Sequence, residues 1–278
     1  MTLAISGASG FVGTYLQDYF RQKDHLILPI TREDLKDQAK LDEKIAQSDV
    51  VINLSGATIL RPWSKAYKKV LFESRIKTTK AIVSAINKLD KPPLLLSTSA
   101  IGIYKKDALF DEDTQDFSEG FLSHLCQSWE SEALKTKSRL AILRFGVILG
   151  EGGALHKMLT PFKLGLGGRI ASGRQAFSFI HIHDLARAYE HIIDNTKLSG
   201  LFNLSTPFAV DNLTLTRKLA SKLKRPALLP LPAWLIKLIF SQGADTLIKG
   251  ESVYPKHLLE SGFTFDYPHL DDILNDLL

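Results

Sequence analysis

Two textures alternate along the first 150 residues. Short runs that are apolar almost throughout, Leu3 to Ser6, Leu26 to Ile30, Val50 to Gly56, Leu94 to Ala100 and Leu140 to Phe145, are separated by longer stretches in which apolar residues return every three or four positions. A short run without a polar face predicts a strand buried on both sides, the pattern of a parallel sheet covered by helices. Helical spacing over Val12, Tyr15, Leu16, Tyr19 and Phe20, over Val70, Leu71, Ile76, Ile82, Val83 and Ile86, and over Phe121, Leu125, Trp129 and Leu134 supplies those helices. The alternation predicts an α/β fold built on a doubly wound parallel sheet with right-handed crossovers.

Beyond Gly150 the pattern changes. Gly152-Gly153, Gly165, Gly167-Gly168 and Gly173 interleave with Lys157, Lys163, Arg169 and Arg174, which reads as a loop, either an ordinary one or one lying over an anionic ligand. Phe179 to Asp184 then leads into a helix through Tyr189 and Ile193, with Asp184 placed as its cap. Phe202-Asn203-Leu204 is strand-like, and short helical patterns separated by prolines 226, 230, 232, 255 and 268 follow. The division this predicts is a sheet domain of residues 1–150, to which 180–204 return, and a smaller, mainly helical cap or substrate region of 151–179 and 205–278.

With 278 residues and 45% apolar content the chain has ample material for a core. Its single cysteine, Cys126, rules out an intramolecular disulfide and gives no sign of an oxidising compartment. No basic segment followed by a long apolar one opens the chain, and the late apolar patch Leu228 to Phe240 is interrupted by Pro230, Pro232 and Lys237 and is too short to span a bilayer. A cytoplasmic protein without a membrane partner is the expectation. The net charge of +5 suits small anions as well as nucleic acid, but the lysine-rich stretch Lys65 to Lys80 lacks interleaved aromatics or a known binding module, so no nucleic-acid partner is expected. His181 and His183 lack the i, i+4 spacing of a helical zinc pair and have no cysteine nearby, so no metal is expected either.

Chemistry enters at Gly7-Ala8-Ser9-Gly10-Phe11-Val12-Gly13, between the first strand and the first helix. In this spacing Gly7 permits the sharp turn, Gly10 lets main chain approach a pyrophosphate, and Gly13 lets the helix pack closely, with helix N-terminal amides facing the anion. Gly7, Ser9, Gly10, Phe11, Val12 and Gly13 are therefore candidate dinucleotide-binding residues. The second strand ends in Thr31-Arg32, where an NAD site places a carboxylate for the ribose hydroxyls; a guanidinium there welcomes a 2′-phosphate. NADP is the expected cofactor, NADPH in preference to NADH, with Glu33 and Asp34 close enough to compete as ribose ligands. Asn53, Leu54, Ser55 and Gly56 end the third strand and either border the cofactor or form a plain turn. Ser97 and Ser99 bring hydroxyls to the end of the fourth, where substrate chemistry is expected. The acidic tract Asp107 to Asp116 is either a solvated loop or, through Asp111 or Glu112, catalytic.

With these residues in view the chain resembles the extended short-chain dehydrogenase/reductase superfamily, and within it an epimerase-like branch with its own carboxyl-terminal domain of unknown function. The matching stretches include Gly7 to Gly13, Asn53 to Gly56, Ser97 to Gly102, Leu125 to Glu130, Leu143 to Leu149, Phe162 to Gly168, Ser172 to Gln175, Ile180 to Asp184 and Tyr254 to Phe263. The resemblance implies an NADP-binding Rossmann domain, with Thr31 and Arg32 near the adenosine phosphate, Asn53 and Leu54 beside the ribose, and Arg75 and Val147 at the cofactor's edge. It is similar to proteins that act on a small-molecule substrate as monomers or homodimers. Superfamily enzymes pair a tyrosine with a lysine four residues later, the lysine lowering the phenol's pKa. Counting back from Glu130, those places hold Leu122 and Cys126, which cannot do that work. Ser99 falls where the superfamily's hydroxyl donor falls, and Tyr104, His124 and Cys126 are the remaining catalytic candidates; each also reads as a packing residue. Two functions follow: an NADP-dependent oxidoreductase or epimerase-like enzyme with an unusual proton donor, or a catalytically silent NADP-binding redox sensor or regulatory protein.

Overall fold

The computed structural model describes residues 1–106 and 108–278. Its centre is a six-stranded, all-parallel sheet. The strands are β1 (Thr2–Ser6), β2 (Leu26–Ile30), β3 (Val50–Asn53), β4 (Leu94–Ala100), β5 (Leu140–Phe145) and β6 (Gly200–Leu204), arranged β6-β5-β4-β3-β1-β2. The apolar runs are the strands, and the reason is visible in β1: Leu3 and Ile5 point into one core and Ala4 into the other. Successive side chains of a strand face opposite ways, so burial on both faces leaves no polar position.

Helices α1 (Phe11–Arg21) and, much later, α6 (Ile182–Asp194) cover the first face, where Leu16, Phe20, Leu185, Tyr189 and Ile192 meet Leu3, Ile52, Leu96 and Leu143. On the other, α2 (Gln38–Ala46) and α3 (Lys65–Ile86) bring Leu41, Ile45, Ile82, Val83 and Ile86 against Ala4, Val51 and Leu95. Ser64 caps α3 by accepting from the Tyr67 amide. Helix α4 (Phe121–Ala133) packs beside α3, and Trp129 Nε1 donates to Thr79 Oγ1 at 2.8 Å. Because β1 leads to β2 on one side and the chain then crosses to β3 on the other, the order reverses between β1 and β3, which opens a crevice at their carboxyl ends.

Two expectations are corrected. The glycine-rich stretch after Gly150 is not a loop throughout: Gly153–Lys163 forms helix α5, which buries Leu155 and Phe162 in a separate core with Leu215, Leu219, Ile273 and Leu274. Tertiary packing outweighs the poor helix composition. Asp184 does not cap α6; His181 does, accepting from the His183 amide at 3.3 Å. The Asp184 carboxylate is wholly buried and accepts from the amides of Asp266 and Tyr267 and from Arg187, each at 2.9 Å, so it fastens the carboxyl-terminal segment to α6. That segment is also shared between layers: Leu258 and Phe263 lie in the core of the sheet, whereas Leu270 to Leu274 lie in the core of α5.

Candidate functional site

The crevice between β1 and β3 is shaped by the three glycines, each for a different steric reason. Gly7 has φ +72°, and a Cβ there would stand 2.9 Å from the Leu54 carbonyl. A side chain is thus excluded both by the left-handed backbone and by the β3 loop. At Gly13 a Cβ would lie 2.4 Å from the Gly7 oxygen, so this glycine lets α1 sit directly on the turn. At Gly10 the nearest neighbour would be the Gly7 oxygen at 3.2 Å, and Ser9 and Gly10 are both exposed, leaving main chain facing an open concavity. No side chain caps α1 and its first turn holds no acid, so the positive end of the helix faces the crevice uncompensated. The Phe11 ring turns outward and is covered by Gly150, Gly152 and Gly153, where added Cβ atoms would come within 2.6 to 2.9 Å of it. Val12 packs on the sheet's core.

At the tip of β2, Thr31 is held by Asp34, whose Oδ2 accepts from the Thr31 amide at 2.6 Å and hydroxyl at 2.8 Å and from Lys44 Nζ at 2.6 Å. Burial alone would raise the Asp34 carboxyl, but Lys44 and Thr31 hold it below its usual value. Of the two carboxylates expected to compete for a ribose, Asp34 is therefore consumed internally, while Glu33 is exposed. Arg32 is exposed and forms no hydrogen bond or ion pair among the described residues.

The tip of β3 departs from expectation at Asn53. Its side chain is fully buried, accepting from Ser6 Oγ and donating to Thr79 Oγ1, both at 2.8 Å. It ties β1, β3 and α3 together and leaves no polar atom for the crevice. Leu54, Ser55 and Gly56 line the rim. Gly56 is the place where Arg75 lies against main chain, since a Cβ would meet the guanidinium carbon at 2.9 Å. Arg75 donates to the carbonyls of Ala57 at 3.0 Å and Leu71 at 3.1 Å and stacks on Trp129 at 5.2 Å, with no carboxylate partner among the described residues. Burial pulls it below the usual arginine value. Val147 lies half-buried just past β5, its amide donating to Ser178 O at 2.8 Å. Ser97 is buried in the sheet between Asn53 and Ile142.

The four catalytic candidates do not converge. Ser99 is 1% exposed and its only proton goes to Glu130 Oε1 at 2.6 Å, so it is no donor toward the crevice. Tyr104 is completely buried; its hydroxyl accepts from Arg144 Nη1 at 2.6 Å and donates to Asn203 Oδ1 at 3.0 Å. Cys126 is buried, and loss of water pushes its thiol up to about 12, which keeps it protonated and unreactive. His124 is exposed but lies about 200° round the helix from Leu122, stacked on Phe72 at 6.3 Å. Leu122, at the tyrosine's place, packs on Gly102. Among the described residues no group of three or more metal-ligating side chains forms.

What the sequence reading missed is the polar network behind the sheet tips. Arg144, 1% exposed, forms a two-point pair with Glu130, Nε to Oε1 at 2.8 Å and Nη2 to Oε2 at 2.7 Å. The chain of bonds continues through Tyr104 to Asn203, whose amide N–H donates to Glu112 Oε1 at 2.7 Å, and Glu112 in turn accepts from the Lys256 amide at 3.0 Å. Glu112 is thus a buried strut and not a solvated loop residue; burial raises its pKa. One signal was available: an arginine inside the apolar run Leu140 to Phe145 has to be paired if that run is a buried strand.

Comparison with known proteins was made on sequence and on structure. The model of the NAD dependent epimerase/dehydratase family matches residues 3–205, and that of a domain of unknown function, DUF1731, matches 231–277. Epimerase family protein SDR39U1 of Bos taurus is 33% identical, with both chains covered completely. Epimerase family protein YfhF of Bacillus subtilis is 32% identical over 100% of this chain and 98% of its own. The crystal structure of human epimerase family protein SDR39U1 (isoform 2) with NADPH superposes with a TM-score of 0.91 at 32% identity, covering 100% of this chain and 99% of that one.

Proposed function

Because this chain belongs to the NAD dependent epimerase/dehydratase family, we propose that it binds NADPH in the crevice between β1 and β3 and uses it on an unidentified small-molecule substrate without a tyrosine–lysine pair. One observation carries the cofactor choice: Asp34 is spent on Thr31 and Lys44, and Arg32 is left exposed, without an ion pair among the described residues, at the tip of β2 beside the exposed Glu33. A free guanidinium favours a 2′-phosphate, and of the two carboxylates that follow it Asp34 is no longer available for ribose hydroxyls. The cradle fits: the open side of Gly10 and the uncapped start of α1 suit a pyrophosphate. The human relative crystallised with NADPH supports the same reading.

When bound, NADPH supplies a hydride. The chain's part is to hold the phosphates with the amides that follow Gly10, to hold the adenosine phosphate with Arg32, and to place positive charge near residue 126. That charge is Arg75, which lies over the Trp129 ring at 5.2 Å and donates to the carbonyls of Ala57 and Leu71. The inward commitment of Ser99, Tyr104 and Cys126 favours a second reading, a catalytically silent redox sensor, in which the oxidised and reduced cofactors are told apart by affinity alone.

Calorimetry tests the proposal. NADPH is expected to bind, and Arg32→Ala to lose tenfold or more in affinity for NADPH while affinity for NADH stays unchanged. Equal losses for both cofactors, or no binding by the wild type, would overturn it. Turnover of a carbonyl library followed by NADPH absorbance separates the two readings.

A further inference from the structure

Residues 152–180 and 212–244 contain ten lysines and arginines and not one aspartate or glutamate, whereas the whole chain carries 35 against 30. The cationic excess of the protein is therefore concentrated in these two segments, and they lie together. The Leu229 amide donates to the Gly167 carbonyl at 3.2 Å, Leu231 to Arg169 at 2.9 Å and Ala171 to Leu231 at 2.9 Å, so 167–171 and 229–231 run side by side. Pro232 then starts a helix, Ala233–Phe240, in which only Ile236 is buried. Large apolar side chains project from this one piece: Leu164 and Leu166 on the first segment, Leu228 on the second, and Trp234 and Leu238 one turn apart on the helix, with exposures from 57% to 80%. Lys163, Lys224, Arg225 and Lys237 flank them, all exposed and none in an ion pair among the described residues.

We propose that this face docks on an anionic lipid bilayer. Apolar side chains with a tryptophan, bordered by unpaired cations, are what an interfacial site needs: the side chains enter the boundary of headgroups and acyl chains while the cations meet lipid phosphates. A second copy of the chain fits worse, because a symmetric contact would set these cations against their own equivalents. A nucleic-acid backbone would satisfy the charges and leave the leucines and Trp234 in water. None of the helices is long and apolar enough among the described residues to cross a membrane, so the contact is with one surface. The expectation of no membrane partner rested on the lack of a long apolar run, and surface docking requires none. Helix α5 joins the two sites, its Gly153 end against Phe11 beside the crevice and its Lys163 end at the lipid face.

The test is vesicle binding by the full chain, using phosphatidylcholine vesicles and vesicles of three parts phosphatidylcholine to one part phosphatidylglycerol. Binding to the anionic vesicles is expected to be at least tenfold tighter and to blue-shift tryptophan emission, a shift that reports Trp234 because Trp63 and Trp129 are buried. Trp234→Ser with Leu238→Ser is expected to remove the shift and tenfold or more of the binding. Lys224→Glu with Arg225→Glu is expected to weaken binding at low salt, and it decides the matter if the first variant fails to fold. Equal or absent binding to both vesicle types would overturn the proposal. So would sedimentation showing a dimer that Trp234→Ser dissolves without lipid. NADPH calorimetry is independent of either result.

Discussion

Removing the Glu130 carboxylate is the sharpest perturbation the structure offers. Glu130 accepts three hydrogen bonds, two from the Arg144 guanidinium and one from Ser99, with Arg144 1% exposed and Glu130 7% exposed. Burial works against the Arg144 charge, yet Glu130 and Tyr104 hold its pKa above the ordinary arginine value; because an arginine does not deprotonate in proteins, the guanidinium in Glu130→Leu stays charged without a counter-ion. Breaking a buried pair from one side costs about 3–5 kcal/mol, whereas replacing both partners by apolar groups is often close to neutral. Glu130→Leu is therefore expected to lose about 3–5 kcal/mol, and Glu130→Leu with Arg144→Met to recover most of it. Glu73, on the helix surface and paired with Lys77 one helical turn away at 2.9 Å, is the control, and Glu73→Gln is expected to leave the midpoint almost unchanged. Urea denaturation at pH 7 reads the wild type, Glu130→Leu, Arg144→Met, the double variant and the control, as midpoint shifts at constant m. A single Glu130 variant as mild as the control, or a double variant as unstable as the two single losses added, would refute the reasoning.

Two further outcomes follow from the same geometry. A Cβ at Gly13 collides with main chain while one at Gly10 meets only the Gly7 oxygen at 3.2 Å, so Gly13→Ala is expected to lose about 1–3 kcal/mol as well as NADPH affinity, and Gly10→Ala to lose affinity with a nearly unchanged melting temperature, as read by thermal melts and calorimetry. Burial raises the Glu251 carboxyl to about 7 from a reference near 4.5, with Lys106 at 3.8 Å giving partial relief. The folded state thus holds a proton that the unfolded state has released, and stability falls as pH rises from 4.5 through 7. The contribution is at most about 3 kcal/mol at 1.36 per unit. Glu251→Gln should abolish it, and identical pH–stability curves for variant and wild type would count against this.

The sheet was legible because parallel strands buried on both faces leave uninterrupted apolar runs, and no other common element of five or six residues does. The glycine loop was legible because its three positions answer to three separate steric demands, and Gly7, Gly10 and Gly13 each meet one of them. Side-chain direction at the sheet tips was not. Asn53 and Ser99 end their strands in the expected places, yet both turn into the protein, because their partners Thr79 and Glu130 come from helices 26 and 31 residues further on. Local pattern carries no information about partners at that distance. Helix α5 was hidden for a related reason: its stability comes from Leu155 and Phe162 packing on α7 (Asn212–Leu223) and the carboxyl-terminal helix Leu270–Leu277, and not from its own glycine-rich composition.

The same inward turn shows how helix α4 is held in place. Leu122 packs against Gly102 and Cys126 is buried, so both positions of the helix face packing. Its position on the sheet is then set by Ser99–Glu130–Arg144 and by Trp129–Thr79, bonds that need no ligand to form. Two guanidiniums remain without carboxylates at the crevice, Arg32 exposed at one end and Arg75 half-buried against Gly56 at the other. A half-buried cation satisfied, among the described residues, by two carbonyls and an indole face is poorly compensated. An anion placed beside Arg75 would relieve that deficit.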